Sequence, residues 1–171
     1  MGIKMRAKYR VLAKREYLVF KLPQGWAFPR CMSTDVQWVL ADCNLVHKLF
    51  RGEDQKQRVF TEFVKRGFLG VIIYRQDDWI SYGWMSTPHS PLPPHLPRGV
   101  RNEKAYWIFW CRTKEKHRGR GLFKMTISLL AQQARGEAPD AIVYIDTEPS
   151  NWASRKGIES VGFSPCGVLI C

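Results

Sequence analysis

The segment from Cys111 to Phe123 carries the residues best suited to bind an anion. It reads CRTKEKHRGRGLF and joins a stretch rich in aromatic residues to an apolar-periodic stretch. This pattern predicts a strand, a turn with glycines at 119 and 121, and then a helix. Glycines at the start of a helix leave backbone N–H groups uncovered, and the helix dipole adds partial positive charge there. Arg118 and Arg120 add full charges, so the segment favours binding of a diphosphate.

Two other interpretations of the Arg-Gly-Arg-Gly run are a solvated loop and an RNA-contacting tract. The glycine spacing differs from the G-x-G-x-x-G dinucleotide fingerprint, and no Gly-Lys-Ser/Thr follows as it does in a Walker loop. The strand before the run, the helix after it and a second matching segment downstream favour phosphate binding.

That second segment runs from Asn151 to Phe163 and reads NWASRKGIESVGF. Together the two segments resemble the GNAT acyltransferase superfamily, in which a strand leads into Arg/Gln-x-x-Gly-x-Gly/Ala and an Asn-x-x-Ala/Ser helix ending in Gly-Phe follows. Arg118 and Gly121 match the first motif, but Phe123 stands where the family has a small residue. Asn151, Ser154 and Gly162-Phe163 match the second in order and spacing, and the resemblance covers roughly residues 68–171.

The resemblance implies one α/β domain over residues 1–171, with a mixed twisted sheet of about six to seven strands and helices on both faces. It implies acetyl-CoA, or another acyl-CoA, as co-substrate and no metal. The implied contacts with pantetheine are the main chain of Cys111, Arg112 and Thr113 on one side and Asn151 and Ser154 on the other. The implied contacts with the pyrophosphate are Arg118, Gly119, Arg120, Gly121, Leu122 and Phe123.

Proton transfer is harder to assign from the resemblance. In the family, a tyrosine seven residues after the Asn commonly acts as the general acid for the leaving thiolate, but this chain has Ile158 there. Glu103, Asp146 and Tyr82 are alternative groups for moving protons. Cys111 has no partner histidine in the sequence pattern, which favours a structural thiol over a nucleophile.

Composition narrows the class of protein. The net charge of +12 and a pI near 9.8 favour acidic partners such as nucleic acid, an anionic surface or a phosphate-bearing ligand. An apolar fraction of 45% over 171 residues predicts a packed globule. The five cysteines show no metal-ligand spacing, and no apolar run is long enough to span a bilayer, so we expect reduced thiols in a cytoplasmic protein.

Periodicity and turn signals predict the remaining elements. We expect strands at 17–22, 68–74, 79–84, 104–113 and 141–145, and helices at 54–66, after Gly121 and after Asn151. A capping pattern at Thr34 predicts a helix from there to Gly52, and Pro165 and Gly167 predict a strand or hairpin at the C-terminus. Gly83, inside a strand, indicates a bulge or a close backbone approach.

Two features have both a structural and a functional interpretation. The proline-rich segment 87–103 is either a substrate loop or a stiff connector. Four tryptophans either line an acceptor pocket or fill the core: Trp79, Trp84, Trp107 and Trp110.

The leading functional hypothesis is transfer of an acyl group, most simply acetyl, from coenzyme A to an amine, with an amino sugar or other small molecule as the acceptor. One alternative is a long-chain N-acyl synthase that uses acyl carrier protein, whose acidic surface would suit the net charge. Another is a nucleic-acid-binding module that uses the basic, aromatic surface. A GNAT-like fold that binds its ligand without catalysis is the third.

Overall fold

A computed structural model describes residues 15–27, 35–96 and 105–171. The strands are β1 Glu16–Lys21, β2 Gln37–Leu40, β3 Leu69–Arg75, β4 Asp78–Ser86, β5 Ala105–Thr113, β6 Ile142–Thr147 and β7 Ser164–Ile170. The α-helices are α1 Cys43–Leu49, α2 Asp54–Lys65, α3 Leu122–Glu137 and α4 Trp152–Val161, and a 3-10 turn spans Glu115–His117. No described helix is long and apolar enough to cross a bilayer.

The seven strands form one mixed sheet in the order β2-β3-β4-β5-β6-β1-β7. Strands β5 and β6 run parallel, and every other pairing in the described part of the chain is antiparallel. This pair lies in the middle of the sheet. The two strands are parallel because α3 carries the chain from the end of β5 back to the start of β6. This arrangement confirms the predicted mixed α/β sheet.

Alternation along the strands divides the core between two faces. Ile108 of β5 and Ile145 of β6 pack with the apolar side of α3 on one face. On the other face, Phe109 packs with Phe60 and Phe63 of α2. Further along that second face, Leu96 of the proline-rich segment packs with Trp107 of β5 and Val19 of β1. Helices therefore lie on both faces, as predicted.

The predicted helix from Thr34 to Gly52 is wrong in its first half. Residues Gln37–Leu40 form an edge strand that pairs antiparallel with β3. The helix begins only at Cys43, where Asp42 Oδ1 accepts a hydrogen bond of 2.8 Å from the N–H of Leu45. A short apolar segment has no clear period, so the free edge of β3 decided its conformation; Thr34 itself lies outside the described residues.

The C-terminal segment forms one continuous strand, so the predicted turn at Pro165 and Gly167 is wrong. Strand β7 pairs with β1 from Glu16↔Ile170 to Lys21↔Ser164, with an irregularity beside Val19 and Phe20. Pro165 is tolerated because β7 is an edge strand, where a missing N–H need not break a ladder. The partner strand comes from the other end of the chain and could not be found from local sequence.

Candidate functional site

Strand β5 carries a bulge at the point where the candidate site begins. Trp110 has φ +46°, and the β4–β5 register shifts between Tyr82 and Trp84. Opposite the bulge, a Cβ added to Gly83 would lie 2.7 Å from Cys111 Sγ and 2.8 Å from Thr126 Cγ2. The sequence prediction for Gly83 is confirmed, since a bulge and a close approach occur together.

Strands β5 and β6 separate shortly before this bulge. Their pairing runs from Ala105↔Ile142 to Ile108↔Ile145, although β5 continues to Thr113 and β6 to Thr147. The last part of β5 therefore has no ladder partner on its β6 side. Backbone N–H and C=O groups along that edge are available to an extended ligand with its own amide groups.

The groove between the strands leads to the N-terminus of α3. Gly119 and Gly121 have φ +77° and +76°, conformations that favour glycine, and no atom lies within 4 Å of a Cβ added at either position. No side chain caps this end of α3, and no acidic residue lies in its first turn. The first N–H groups of the helix therefore remain available to an anion, with Arg118 and Lys124 beside them.

One cavity of about 850 Å³ joins the groove to this helix terminus. Ten of the eleven residues predicted to contact coenzyme A line it, and Arg120 does not. The ten are Cys111, Arg112, Thr113, Arg118, Gly119, Gly121, Leu122, Phe123, Asn151 and Ser154. Their assembly is observed, and their binding roles remain predictions. The cavity is also lined by His117, Lys124, Ala153, Lys156, Gly157 and Ser160, which the sequence analysis did not select.

Phe123, the residue that departs from the family motif, packs against α4. A Cβ added to Gly157 would lie 2.7 Å from Phe123 Cδ1 and 2.8 Å from Cε1. The bulky ring at the mouth of α3 is therefore accommodated by a glycine on the neighbouring helix. A glycine inside the helical pattern of residues 152–161 was the signal in the sequence that could have indicated this contact.

Asn151 holds the start of α4 on the opposite wall of the cavity. Its side-chain oxygen accepts a hydrogen bond of 3.1 Å from the N–H of Ser154, so it is the N-cap of the helix. The Asn-x-x-Ser pattern thus has a local structural role. Asn151 and Ser154 also line the cavity, on the side that the resemblance assigns to pantetheine.

A chain of buried hydroxyl groups ties β4, β5 and α3 together beneath the cavity. Ser81 Oγ lies 2.9 Å from Thr113 Oγ1 and 2.8 Å from Thr126 Oγ1. Thr126 also donates to the carbonyl of Leu122 in the first turn of α3, at 2.9 Å. These bonds fix the helix terminus relative to the open edge of β5.

The electrostatics of the cavity favour an anionic ligand. Desolvation, followed by the cations Lys116, Arg120 and Arg75, lowers the pKa of His117 below its ordinary value of 6.5. Arg118, Lys124 and Lys156 line the cavity and none of its described lining residues is acidic, so positive charge predominates there. Burial raises the pKa of the Cys111 thiol to about 12, so this thiol is protonated at neutral pH and does not act as a nucleophile.

A second cavity of about 390 Å³ opens on the α2 side of the sheet. Its wall combines the aromatic rings of Trp110, Tyr82 and Phe60 with charged residues at the start of α2. Arg112 lines both cavities, so they meet at the end of β5. Trp110 is 50% exposed and forms part of this pocket, whereas the other three tryptophans, Trp79, Trp84 and Trp107, are at most 6% exposed and fill the core.

The structure also places the candidate proton-transfer groups. Ile158 is 1% exposed and belongs to the apolar core, so it leaves no polar group at that position. Burial raises the pKa of Tyr82 to about 12, although it lines the second cavity. Asp146 contacts His95 and Trp107, and Glu103 lies outside the described residues. Within the described ranges no three His, Cys, Asp or Glu side chains converge as metal ligands.

Comparison of the sequence with protein-family models and with curated proteins gives no match. Solved structures do match. An acetyltransferase of the GNAT family from Colwellia psychrerythraea is 14% identical, with a TM-score of 0.63 over 91% of this chain and 54% of that chain. A tandem GNAT protein from the clavulanic acid biosynthesis pathway is 13% identical, with a TM-score of 0.63 over 92% of this chain and 52% of that chain.

The aminoglycoside N-acetyltransferase AAC(6')-Iy, solved in complex with CoA, is 16% identical, with a TM-score of 0.58 over 75% of this chain and 91% of that chain. The present chain thus spans only about half the length of the Colwellia protein and of the tandem protein. Three observations point to the same fold: the separated parallel strands, the glycine-rich entry to α3 and these superpositions. The chain has the fold of the GNAT acetyltransferases.

Proposed function

We propose that this chain, as one domain over residues 1–171, transfers an acetyl group from acetyl-CoA to an amine. The observation that carries the proposal is the single cavity joining the open edge of β5 to the uncapped terminus of α3. An extended ligand with amide groups in the middle and a diphosphate at one end matches both parts of that cavity. A diphosphate alone would need only the helix terminus.

Each part of coenzyme A has a fitting group in the cavity. The N–H groups at the start of α3, with Arg118 and Lys124, would hold the pyrophosphate. The main chain of Arg112 and Thr113 would pair with the pantetheine amides, because that edge of β5 has no partner on β6. The thioester would then lie where β5 and β6 separate, and a backbone N–H of the bulge would polarise its carbonyl.

The second cavity is the proposed acceptor site, because it reaches the same strand end from the α2 side. Catalysis of this kind works chiefly by holding the amine against the thioester carbonyl. The finer proposal is an amino sugar as acceptor. It is supported by the matched AAC(6')-Iy structure, which was solved in complex with a bisubstrate analog, CoA-S-monomethyl-acetylneamine. A sugar ring would stack on the exposed face of Trp110.

Thermal denaturation with acetyl-CoA, coenzyme A, NAD or a short RNA tests the proposal. A ligand at about a hundred times its dissociation constant stabilises the fold by roughly 2.7 kcal/mol, a readily measured shift in Tm. We expect acetyl-CoA and coenzyme A to raise the Tm and NAD to leave it unchanged. Arg118→Glu should abolish the rise. Arg51→Glu is the matched control, because Arg51 is exposed and lines neither cavity.

The same experiment separates the competing functions. A rise with RNA alone, steeply dependent on salt, would show that the basic loop contacts nucleic acid and that the enzyme proposal is wrong. A rise with acetyl-CoA but no acetylation of any amine in a screen would indicate a binding protein. A requirement for acyl carrier protein in that screen would select the long-chain alternative.

A further inference from the structure

A partly buried pair of titratable side chains, His95 and Asp146, lies on the sheet face opposite α3. His95 Nε2 is 3.0 Å from both carboxylate oxygens of Asp146. The indole N–H of Trp107 donates to Asp146 Oδ1. The Asp146 side chain is only 6% exposed. Its contacts with His95 and Trp107 hold the carboxylate in one orientation. Because a carboxylate only accepts, Nε2 carries the proton of this contact, and in the tautomer protonated only at Nε2 the other ring nitrogen, Nδ1, is an acceptor.

The pair is located where the two parallel strands separate. Asp146 directly follows Ile145, the last residue of β6 that pairs with β5. The His95 ring lies 6.5 Å from that of Phe109, the first residue of β5 beyond the paired region. Phe109 packs in the same cluster as Phe60 and Tyr82, which line the second cavity, so the pair lies on the acceptor side of the sheet.

The proline-rich segment holds His95 in this place. Leu96 packs against Trp107 and Val19, so the loop is fastened to the sheet face. The titratable groups that face His95 are Asp146 of β6 and the Tyr17 phenol of β1, whose ring centroid is 5.4 Å away. From β5 and β7, Trp107 and Leu169 pack in the apolar cluster that contains Leu96. The His95 side chain remains 29% exposed, enough for contact with a ligand or water.

We propose that His95, oriented by Asp146, is the general base that takes a proton from the acceptor ammonium, an inference that rests on the proposed acetyl transfer. One N–H bond of the ammonium breaks and a bond from that proton to His95 Nδ1 forms, directly or through one water. The resulting imidazolium is paired with the Asp146 carboxylate. His95 then returns the proton to solvent.

The neutral amine can then attack the thioester carbonyl. A C–N bond forms and the C–S bond breaks, and a second proton of the amine ends on the leaving thiolate. The third stays on the amide product, so the three ammonium protons are accounted for. No other group described at the strand separation offers an uncharged acceptor nitrogen beside a buried carboxylate.

A purely structural role, in which the pair only fastens the loop, is the competing explanation. Nuclear magnetic resonance of the histidine ring carbons can distinguish the two roles. The chain has only four histidines, so the signal of each can be followed separately. His117 lines the coenzyme cavity and reports binding, while His89, exposed in the same loop, is the control. We expect saturating acetyl-CoA to move the signals of His117 and His95 and to leave His89 in place.

The outcomes of this measurement separate the two proposals. A His117 signal that stays fixed refutes binding of acetyl-CoA, and the proposed function fails. A His117 signal that moves while His95 stays fixed leaves the function standing and overturns the role of His95.

Kinetics provide the second test, with thiol release from acetyl-CoA measured in the presence of neamine. His95→Gln places an amide nitrogen at the position of Nε2, so it can keep the contact with Asp146 but cannot take a proton. We expect it to retain the Tm and the KM for acetyl-CoA and to lose about 10²- to 10⁴-fold in kcat. His89→Gln should match wild type. A His95→Gln protein with wild-type kcat, or one that loses only stability, would overturn the inference.

Discussion

The contact between Phe123 and Gly157 is where this chain departs most clearly from the family motif, and it can be tested by one substitution in two backgrounds. Gly157 lies inside α4 without a positive φ, so alanine is compatible with its backbone. Alanine in a helix interior is favoured over glycine by about 1 kcal/mol. The ring of Phe123, however, occupies the space that the new methyl group needs.

The magnitude follows from the distances. A Cβ 2.7 Å and 2.8 Å from two ring carbons is too close for normal contact, so the ring or the helix must move. Overpacking of this kind costs about 1 to 3 kcal/mol. The gain of about 1 kcal/mol in helix propensity offsets part of this cost. Gly157→Ala should therefore lower the free energy of unfolding by between roughly zero and 2 kcal/mol. In a Phe123→Ala background the clash is absent, and the same substitution should stabilise by up to about 1 kcal/mol.

Urea denaturation of the four proteins gives the coupling energy directly. We expect a coupling of about 1 to 3 kcal/mol and a change in sign between backgrounds. In the Phe123-containing protein the displaced ring should also enter the coenzyme cavity and weaken the Tm shift caused by acetyl-CoA. Equal effects of Gly157→Ala in both backgrounds would refute the assigned contact.

Three further predictions concern the core and the site. Trp84→Ala should lower the free energy of unfolding by about 3 to 5 kcal/mol, whereas Trp110→Ala, at a half-exposed position, should cost far less and should instead raise the KM for the acceptor; equal losses of stability would contradict this. Thr126→Val should cost about 1 to 3 kcal/mol in urea denaturation, because the buried Ser81 hydroxyl loses a partner, and an unchanged midpoint would count against the hydroxyl chain. The pKa of His117 is lower in the folded state than its ordinary 6.5, so its contribution to stability is present above that pH and is lost as the pH falls through the folded value. On acidification, the Tm of His117→Gln should therefore fall less than the Tm of the wild type. Parallel curves of Tm against pH for the two proteins would argue against the assigned pKa shift.

The local features of the candidate site, its glycine turn and its helix starts, could be predicted from local sequence. The Arg-Gly-Arg-Gly run contains its turn, its charges and its helix start within a few residues, and the structure places Gly119 and Gly121 at positive φ as that pattern requires. Asn151 likewise caps its own helix through a contact three residues away. Both features depend on neighbours in sequence, which is why spacing alone indicated them.

Features that depend on distant partners could not be predicted in this way. Residues Gln37–Leu40 have an apolar pattern that also fits a helix, and only the open edge of β3 makes them a strand. Strand β7 is continuous because β1, from the other end of the chain, pairs with it. The fit of Phe123 to Gly157 and the approach of His95 to Asp146 join segments far apart in sequence.

The sequence by itself determined the class of sheet, the glycine-rich start of α3 and the positive charge around it, because each follows from residue type, local period and composition. Tertiary structure decided which residues share a cavity, which of the four tryptophans considered as pocket residues is exposed, and which histidine meets a buried carboxylate. The physical reason is that backbone propensity and capping act within a few residues. Burial, strand pairing and the position of a proton acceptor depend on groups that meet only when the chain packs.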